Sequence, residues 1–394
     1  MKRKICVVTG TRAEFGLLKN VIRLIDENVR LQLQLVVTGM HLSPEFGLTY
    51  REIEDSNFKI DAEIEMLLSA DTGSAVVKAM GLGLIGFSDT FKRLSPDLLV
   101  VLGDRFEIFS AVTAANILGI PIAHLHGGEL TRGAFDDALR HSITKMSNLH
   151  FVANEQYQQR VIQLGEHPET VFNFGALGID AIKRVALITR KDLEDKLEIK
   201  FCKKNLLITF HPITRETDAE NIFQMHELLM ALSELEDTFL LFTLPNADTM
   251  GRQFAELIQA FVETQPRSKV FASLGQELYF SCLSQIDCVV GNSSSGLLEA
   301  PAFEVATINI GDRQSGRVKS DSVIDCSAKR EEILKAIEFS YSRNFQHNLR
   351  CNHATDEEHG TAEKIISIIS SYHLGKLKKK SFYDLPLEVT GKQP

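Results

Sequence analysis

The chain has 394 residues, too many for one compact core and enough for two domains of roughly 170–200 residues each. With 44% hydrophobic and 24% charged residues it has the composition of a globular protein and not of a disordered one. A net charge of −9 argues against a nucleic-acid partner, and no apolar stretch approaches the roughly 20 residues needed to cross a bilayer, so a cytoplasmic protein without a membrane partner is expected.

The first half alternates short apolar runs with stretches of helical period, the pattern of a parallel sheet covered by helices. Strands are predicted over 4–8, 33–38, 97–103, 120–126, 149–154 and 171–175. After the first comes Thr9-Gly10-Thr11-Arg12-Ala13-Glu14-Phe15-Gly16, where glycine permits a tight strand-to-helix turn and Arg12 adds a charge able to grip a phosphate. The segment is not GxGxxG, which disfavours a dinucleotide site; a structural turn with an exposed arginine is the plainer reading. After the third strand come Asp104, Arg105, Phe106 and Glu107, an acid and a base at the end of a run buried on both faces. Asp104 as a simple helix N-cap is the alternative.

The fourth strand leads into Gly127, Gly128 and Glu129, then a loop to Asp136 and Asp137 at the start of a helix. On that helix Asp137, Arg140, His141 and Thr144 share one face, which is either solvated or, with His124, His126 and His141 close by, part of an acid–base cluster. A charged stretch over 188–205 reads as the join between the halves.

The second half repeats the alternation, with strands predicted over 205–212, 238–246, 269–273, 287–295 and 306–311. His211 ends the first of these and Asn246 the second. The fourth runs into Gly291-Asn292-Ser293-Ser294-Ser295-Gly296, a turn whose backbone N–H groups and hydroxyls suit a diphosphate. Glu299 lies one helical turn on, placed to accept from ribose hydroxyls, and Arg313 and Arg317 follow the last strand. Late helices are expected over 328–342 and 362–372, and the Lys-rich GKLKKKSFY end as a solvated tail. The six cysteines form no CxxC pair and no His/Cys ligand cluster, so neither a disulfide framework nor a structural zinc is implied. Two successive α/β sheets leave a cleft between them, with ligands expected beyond the carboxyl ends of the strands.

At these residues the chain resembles the hydrolysing UDP-N-acetylglucosamine 2-epimerases, in particular the bacterial sialic-acid branch that makes N-acetylmannosamine. The segments TGTRAEFG, VTGMH, LGDRFEIFSA, HGGE, RHSITKMS, FHP, PNADT, GNSSSG and NIGDRQSGR occur in the family's order over nearly the whole chain. The resemblance implies a glycosyltransferase-B-like pair of Rossmann-like domains with the active site in the interdomain cleft. The first, 1–175, would carry the catalytic carboxylates, and the second, 176–372, would bind UDP. The tail, 373–394, would pack back on the first domain. It also implies a UDP-sugar substrate, no metal or cofactor, and a homo-oligomer, dimer or tetramer.

The implied reaction is loss of UDP and of the C2 proton to give a 2-acetamidoglucal, followed by hydration with the opposite configuration at C2. Carried over by motif, Asp104, Glu129 and Asp136 are the catalytic carboxylates, with His211 at the substrate or leaving group. Arg12, Arg105, His211, Asn246, Ser293, Ser294, Glu299 and Arg313 match contacts to UDP or sugar, and Ser273 lies near the expected uracil pocket. Many family members have Glu where this chain has His126, and the loop before Asp136 is one residue longer here. The proton-transfer role therefore falls to His126, to Glu129 or to both; an unperturbed imidazole titrates at about 6.5 and serves as acid or base near neutrality. Three rival readings share the fold. They are a hydrolysing epimerase of UDP-2,4-diacetamido-trideoxyhexose from the legionaminic-acid pathway, a retaining glycosyltransferase, and a non-catalytic nucleotide-sugar sensor.

Overall fold

The computed structural model describes residues 2–70, 72–131, 134–245, 249–351 and 360–386. The first sheet is seven-stranded and parallel, built from β1 (Arg3–Thr9), β2 (Leu31–Thr38), β3 (Ile60–Ile64), β4 (Leu98–Leu102), β5 (Ile122–Leu125), β6 (Leu149–Val152) and β7 (Val171–Asn173) in the order β3-β2-β1-β4-β5-β6-β7. The second is six-stranded and parallel, with β8 (Lys204–Thr209), β9 (Thr238–Thr243), β10 (Ser268–Phe271), β11 (Cys288–Gly291), β12 (Ala306–Ile310) and β13 (Val323–Cys326) in the order β10-β9-β8-β11-β12-β13.

Helices cover both faces of each sheet, which explains why the central strands are unbroken apolar runs. In β1, Ile5 and Val7 join one core with Leu98 and Val100, while Cys6 and Val8 join the opposite core with Leu99 and Val101. In β8, Leu206 and Ile208 face one side and Leu207 the other. Both sheets reverse their strand order at the centre, between β1 and β4 and between β8 and β11. A crevice opens at such a reversal, outside the carboxyl ends of the strands. The segments that follow these four strands are those carrying Arg12, Asp104, His211 and Ser293.

Two turns at the crevice demand glycine. Gly291 has φ +141°, and a Cβ there would sit 2.0 Å from the carbonyl oxygen of Thr209 on the adjoining strand. Gly128 has φ +80°, with the Tyr157 carbonyl oxygen 2.5 Å from where a Cβ would be.

The described part of the tail packs back on the first domain, as the resemblance implies, while the helix before it and the solvated-tail reading depart from expectation. The Thr361–Ser371 helix, expected inside the second domain, puts Ala362, Ile365, Ile366 and Ile369 into the core of the first against the Arg12–Glu27 helix. The Lys-rich segment after it is not a solvated tail. Leu377 is buried in the same core, Lys380 Nζ lies 2.6 Å from Glu166 Oε2, and Tyr383 N donates to the Gly165 carbonyl at 3.0 Å. Lys380 also donates to the Lys145 and Ser147 carbonyls at the end of the Asp136–Met146 helix, so the basic residue caps that helix where unpaired carbonyls concentrate. Of the described residues, no helix is long and apolar enough to cross a membrane.

Candidate active site

The segments following β1, β4, β5, β8 and β11 meet around a cavity of about 340 Å³ between the two sheets, lined among others by Arg12, Asp104, Arg105, His126, Glu129, Asp136, Arg140, His211, Ser293, Glu299, Arg313 and Arg317. The first-domain wall is a buried ion-pair network centred on Arg140, whose side chain is 5% exposed. Arg140 sits one helical turn after Asp136 in the Asp136–Met146 helix, so its guanidinium returns to the same end of the strands. It donates to Asp104 Oδ2, to the His126 carbonyl at 2.9 Å and to Thr131 Oγ1 at 3.4 Å, and lies 3.4 Å from Glu129 Oε2.

Glu129 is enclosed. His126 Nδ1 lies 2.7 Å from its Oε1, and Arg317 Nη2 of the second domain lies 3.3 Å from its Oε2. Burial alone raises a carboxylic pKa, but Arg317, Arg140 and the His126 hydrogen bond outweigh it and hold Glu129 far below the ordinary range. Arg317 also donates to the Leu130 carbonyl at 2.7 Å and to Thr131 Oγ1 at 3.2 Å, so it clamps the 129–131 loop across the cleft. His126 itself is held at φ +62°, a left-handed conformation that residues with a Cβ seldom adopt.

Of the three histidines expected to cluster, only His126 lines the cavity. His124 is fully buried, with Nε2 2.8 Å from the Gly103 carbonyl and Nδ1 3.1 Å from Thr144 Oγ1, and burial lowers its pKa to about 3. It is a strand-tethering residue. Among the described residues His141 reaches only Asp137, at 3.9 Å.

Two of the arginines expected at UDP or the sugar are already engaged. Arg12 forms a two-point pair with Glu52 and donates to the Ser273 carbonyl at 2.7 Å, tying the first domain to the loop after β10; burial lowers its pKa to about 10. Arg105 donates from Nε and Nη2 to the buried Glu107 at 3.2 and 3.1 Å. Asn292 is a correction: it is fully buried, outside the cavity wall, and spends its amide on the backbone of His211, accepting from its N–H at 2.7 Å and donating to its carbonyl at 2.8 Å. It locks the ends of β8 and β11 together in place of contacting a ligand.

Ser293, Ser294 and Ser295 do line the cavity, with Tyr279 bonded to the Ser295 hydroxyl. Arg313 donates from Nη1 to the Asn292 carbonyl at 3.1 Å and so lies over this turn. Buried polar atoms of the wall without a hydrogen-bond partner among the described residues include Glu299 Oε2, Arg313 Nε and Arg317 Nη1, along with Glu14 Oε1 and Arg140 Nε. Such groups are costly unless a ligand or water meets them. Burial raises the Glu299 pKa. Asn246 falls outside the described residues.

The sequence places Arg140 on a polar helix face without giving it a contact of its own, and Glu14 carries no site role there. Glu14 lines the cavity and accepts from Gly10 N at 2.7 Å and Thr11 N at 3.2 Å, completing the capping box of its helix. Burial and the neighbouring Glu107 push its pKa up to about 8. The signals available were the Thr-x-x-Glu spacing for Glu14 and the four-residue step from Asp136 for Arg140.

Two parallel α/β sheets facing each other across a cavity with carboxylates on one side and a Gly/Ser turn with arginines on the other define a glycosyltransferase-B-like fold. The sequence profile of the family described as UDP-N-acetylglucosamine 2-epimerase matches residues 23–370. The chain is 42% identical over 389 residues to a GDP/UDP-N,N'-diacetylbacillosamine 2-epimerase (hydrolyzing) of Campylobacter jejuni, covering 98% of this chain and 100% of that one. It is 37% identical to polysialic acid biosynthesis protein P7 of Escherichia coli, with 98% of each covered. A crystal structure of a putative UDP-N-acetylglucosamine 2-epimerase from Listeria monocytogenes superposes with a TM-score of 0.78 over 98% of this chain and 100% of that one, at 18% identity. The chain belongs to the UDP-N-acetylglucosamine 2-epimerase family, in its hydrolysing branch.

Proposed function

We propose that the protein converts UDP-N-acetylglucosamine and water to N-acetylmannosamine and UDP. The observation that carries this reading is the pairing, in one cavity, of the Asp104–Arg140–Glu129–His126 network with the Ser293–Ser295 turn and Arg313. The turn and Arg313 would hold the diphosphate and stabilise it as it leaves, with Arg12 and His211 beside it. Glu299, one turn beyond, would accept from the ribose hydroxyls, and Ser273 would border the base. The sugar would then extend toward the first-domain wall.

There a base removes the C2 proton while the C1–O bond to the diphosphate breaks, giving the 2-acetamidoglucal. Water then adds at C1 and a proton enters C2 from the opposite face. Groups on both faces are required, and Asp104, His126, Glu129 and Asp136 are the side chains of this wall from which they would be drawn.

A second reading has its own support. The 42% identity to a diacetylbacillosamine enzyme exceeds the 37% to the polysialic acid protein, which favours a UDP-2,4-diacetamido-trideoxyhexose in the same site. Both substrates share the nucleotide, the diphosphate and the C2 chemistry. Proton NMR in heavy water with each UDP-sugar tests both. UDP release with a manno product deuterated at C2 is expected, faster by tenfold or more for the true substrate; a protonated C2 would refute the elimination route. We also propose a homo-oligomer, a dimer or tetramer. The Gly73–Leu94 helix exposes Val77, Leu82, Leu84 and Ile85, an apolar stripe that a second copy would cover. Sedimentation of Ile85→Glu as a monomer would support this, and an unchanged assembly would refute that face.

A further inference from the structure

Two neighbouring groups in the first-domain wall, His126 and Glu129, compete for the proton-transfer role, and their hydrogen bonds separate them. Glu129 has no oxygen to spare. Oε1 faces His126 Nδ1 at 2.7 Å, and Oε2 lies between Arg317 Nη2 at 3.3 Å and Arg140 Nη1 at 3.4 Å. A carboxylate clamped by two guanidinium groups and an imidazole is held in its ionised form, and taking a proton from carbon would dismantle the clamp. A base must present a lone pair to the substrate, and three of the roughly four lone-pair sites of Glu129 already face these partners.

His126 has the complementary arrangement. The backbone N–H of Leu177 can only donate, and it points at Nε2 from 3.4 Å. Nε2 is therefore the acceptor nitrogen and Nδ1 carries the proton that bonds Glu129. The Leu177 contact is long and weak, and the residues on either side of Leu177, Ala176 and Gly178, line the cavity. A substrate C–H group can replace it. The backbone that carries the imidazole is fixed, because the His126 N–H donates to the Phe151 carbonyl at 2.9 Å and its own carbonyl accepts from Arg140. The two bonds hold the backbone in its left-handed conformation, with φ +62°.

We infer that His126 removes the proton from C2 of the sugar through Nε2, and that Glu129 orients the imidazole without exchanging a proton itself. The inference rests on the 2-epimerase reading above. In the elimination step Nε2 takes the C2 proton, the C–H electron pair becomes the C1=C2 bond, and the C1–O pair leaves with the diphosphate of UDP. The imidazolium is stabilised by the Glu129 carboxylate on its far nitrogen, and its proton passes to solvent once UDP departs. The proton that enters the opposite face of C2 comes from a different group. Glu129 is thus a positioning residue, and Arg140 and Arg317 keep it in the form that the pairing needs.

The test measures UDP release in a single turnover, with UDP affinity followed by calorimetry. Asn and Gly tolerate the backbone that His126 adopts, so His126→Asn and His126→Gly preserve the turn. We expect both to lose UDP release by about 1,000-fold or more while UDP affinity stays within threefold, and added imidazole to restore His126→Gly at least tenfold. Glu129→Gln should lose roughly 10- to 100-fold with no response to imidazole, and Glu129→Gly should not be restored by formate. Formate rescue of Glu129→Gly, or His126→Asn releasing UDP within tenfold of the wild type, would overturn the assignment. Wild-type protein that releases no UDP from either UDP-sugar would instead overturn the epimerase reading on which it stands.

Discussion

Replacing Arg140 by Met removes the centre of the first-domain network while keeping a flexible side chain of similar length. The guanidinium is 5% exposed and serves Asp104, the His126 carbonyl and Thr131, with Glu129 at 3.4 Å. Breaking a buried ion pair by deleting one partner costs about 3–5 kcal/mol, because the remaining charge is left in a poorly solvating place. Glu129 keeps Arg317 and His126, and Asp104 is 16% exposed, so the loss should lie near the lower end of that range, about 3 kcal/mol. For a domain of this size each kcal/mol shifts Tm by roughly 2–4 °C, giving a drop of about 6–12 °C at pH 7.

The pH dependence has a definite sign. The folded-state pKa of Glu129 lies below its ordinary value of 4.5, so its stabilisation is present above that value and lost as the pH falls through the folded value. Without Arg140 the depression is smaller and the loss begins at higher pH. Thermal melts from pH 3 to 8 should show the gap between wild type and Arg140→Met widest above about pH 5 and narrowing in acid. Arg140→Lys, which keeps the charge and loses the fork, should fall between them. A Tm within 2 °C of the wild type at pH 7, at the accuracy such melts reach, would refute the role given to this arginine.

Asp104→Asn should lower turnover by about 100-fold or more with UDP affinity retained, read by coupled UDP release and calorimetry. Arg313→Ala should weaken UDP binding by roughly tenfold, the worth of a charge-assisted contact to phosphate, whereas Asn292→Ala should destabilise the fold as well because it unlocks β8 from β11. Glu14→Gln should raise Tm by a few degrees at pH 9 and leave it unchanged near pH 5. The folded pKa of about 8 lies above the ordinary 4.5, so the wild type loses stability as the pH rises through that window, and Gln keeps the bonds from Gly10 and Thr11 without the charge. Gly291→Ala should fail to give folded protein in circular dichroism, since its Cβ would collide with the Thr209 carbonyl.

The central strands were legible because burial on both faces leaves unbroken apolar runs such as Leu98–Leu102. The edge strands were not. β3 reads IDAEI and β13 reads VIDC, half-buried at the sheet margins, and their Asp and Glu side chains erase the signal. The site segments were legible as strand ends, because a charge after an apolar run has little structural excuse. What those residues do with their polar atoms depends on strand order, which one sequence does not display. Asn292 looked like a ligand contact until β11 was found beside β8, where its amide matches the backbone of His211. The polar face holding Arg140 was visible at helical spacing, yet spacing does not say whether such a face meets water or a buried carboxylate. The return of the Thr361–Ser371 helix to the first domain likewise turns on long-range packing, since its apolar period fits either core.

A crystal structure with UDP bound tests the central claim most directly. A diphosphate is expected within hydrogen-bonding distance of the Ser293–Ser295 turn and Arg313, with its terminal phosphate directed toward His126 and Asp104. UDP lodged instead in the separate cavity of about 260 Å³ beside Phe46, Val76 and Arg252, with the Ser293–Ser295 turn untouched, would contradict it.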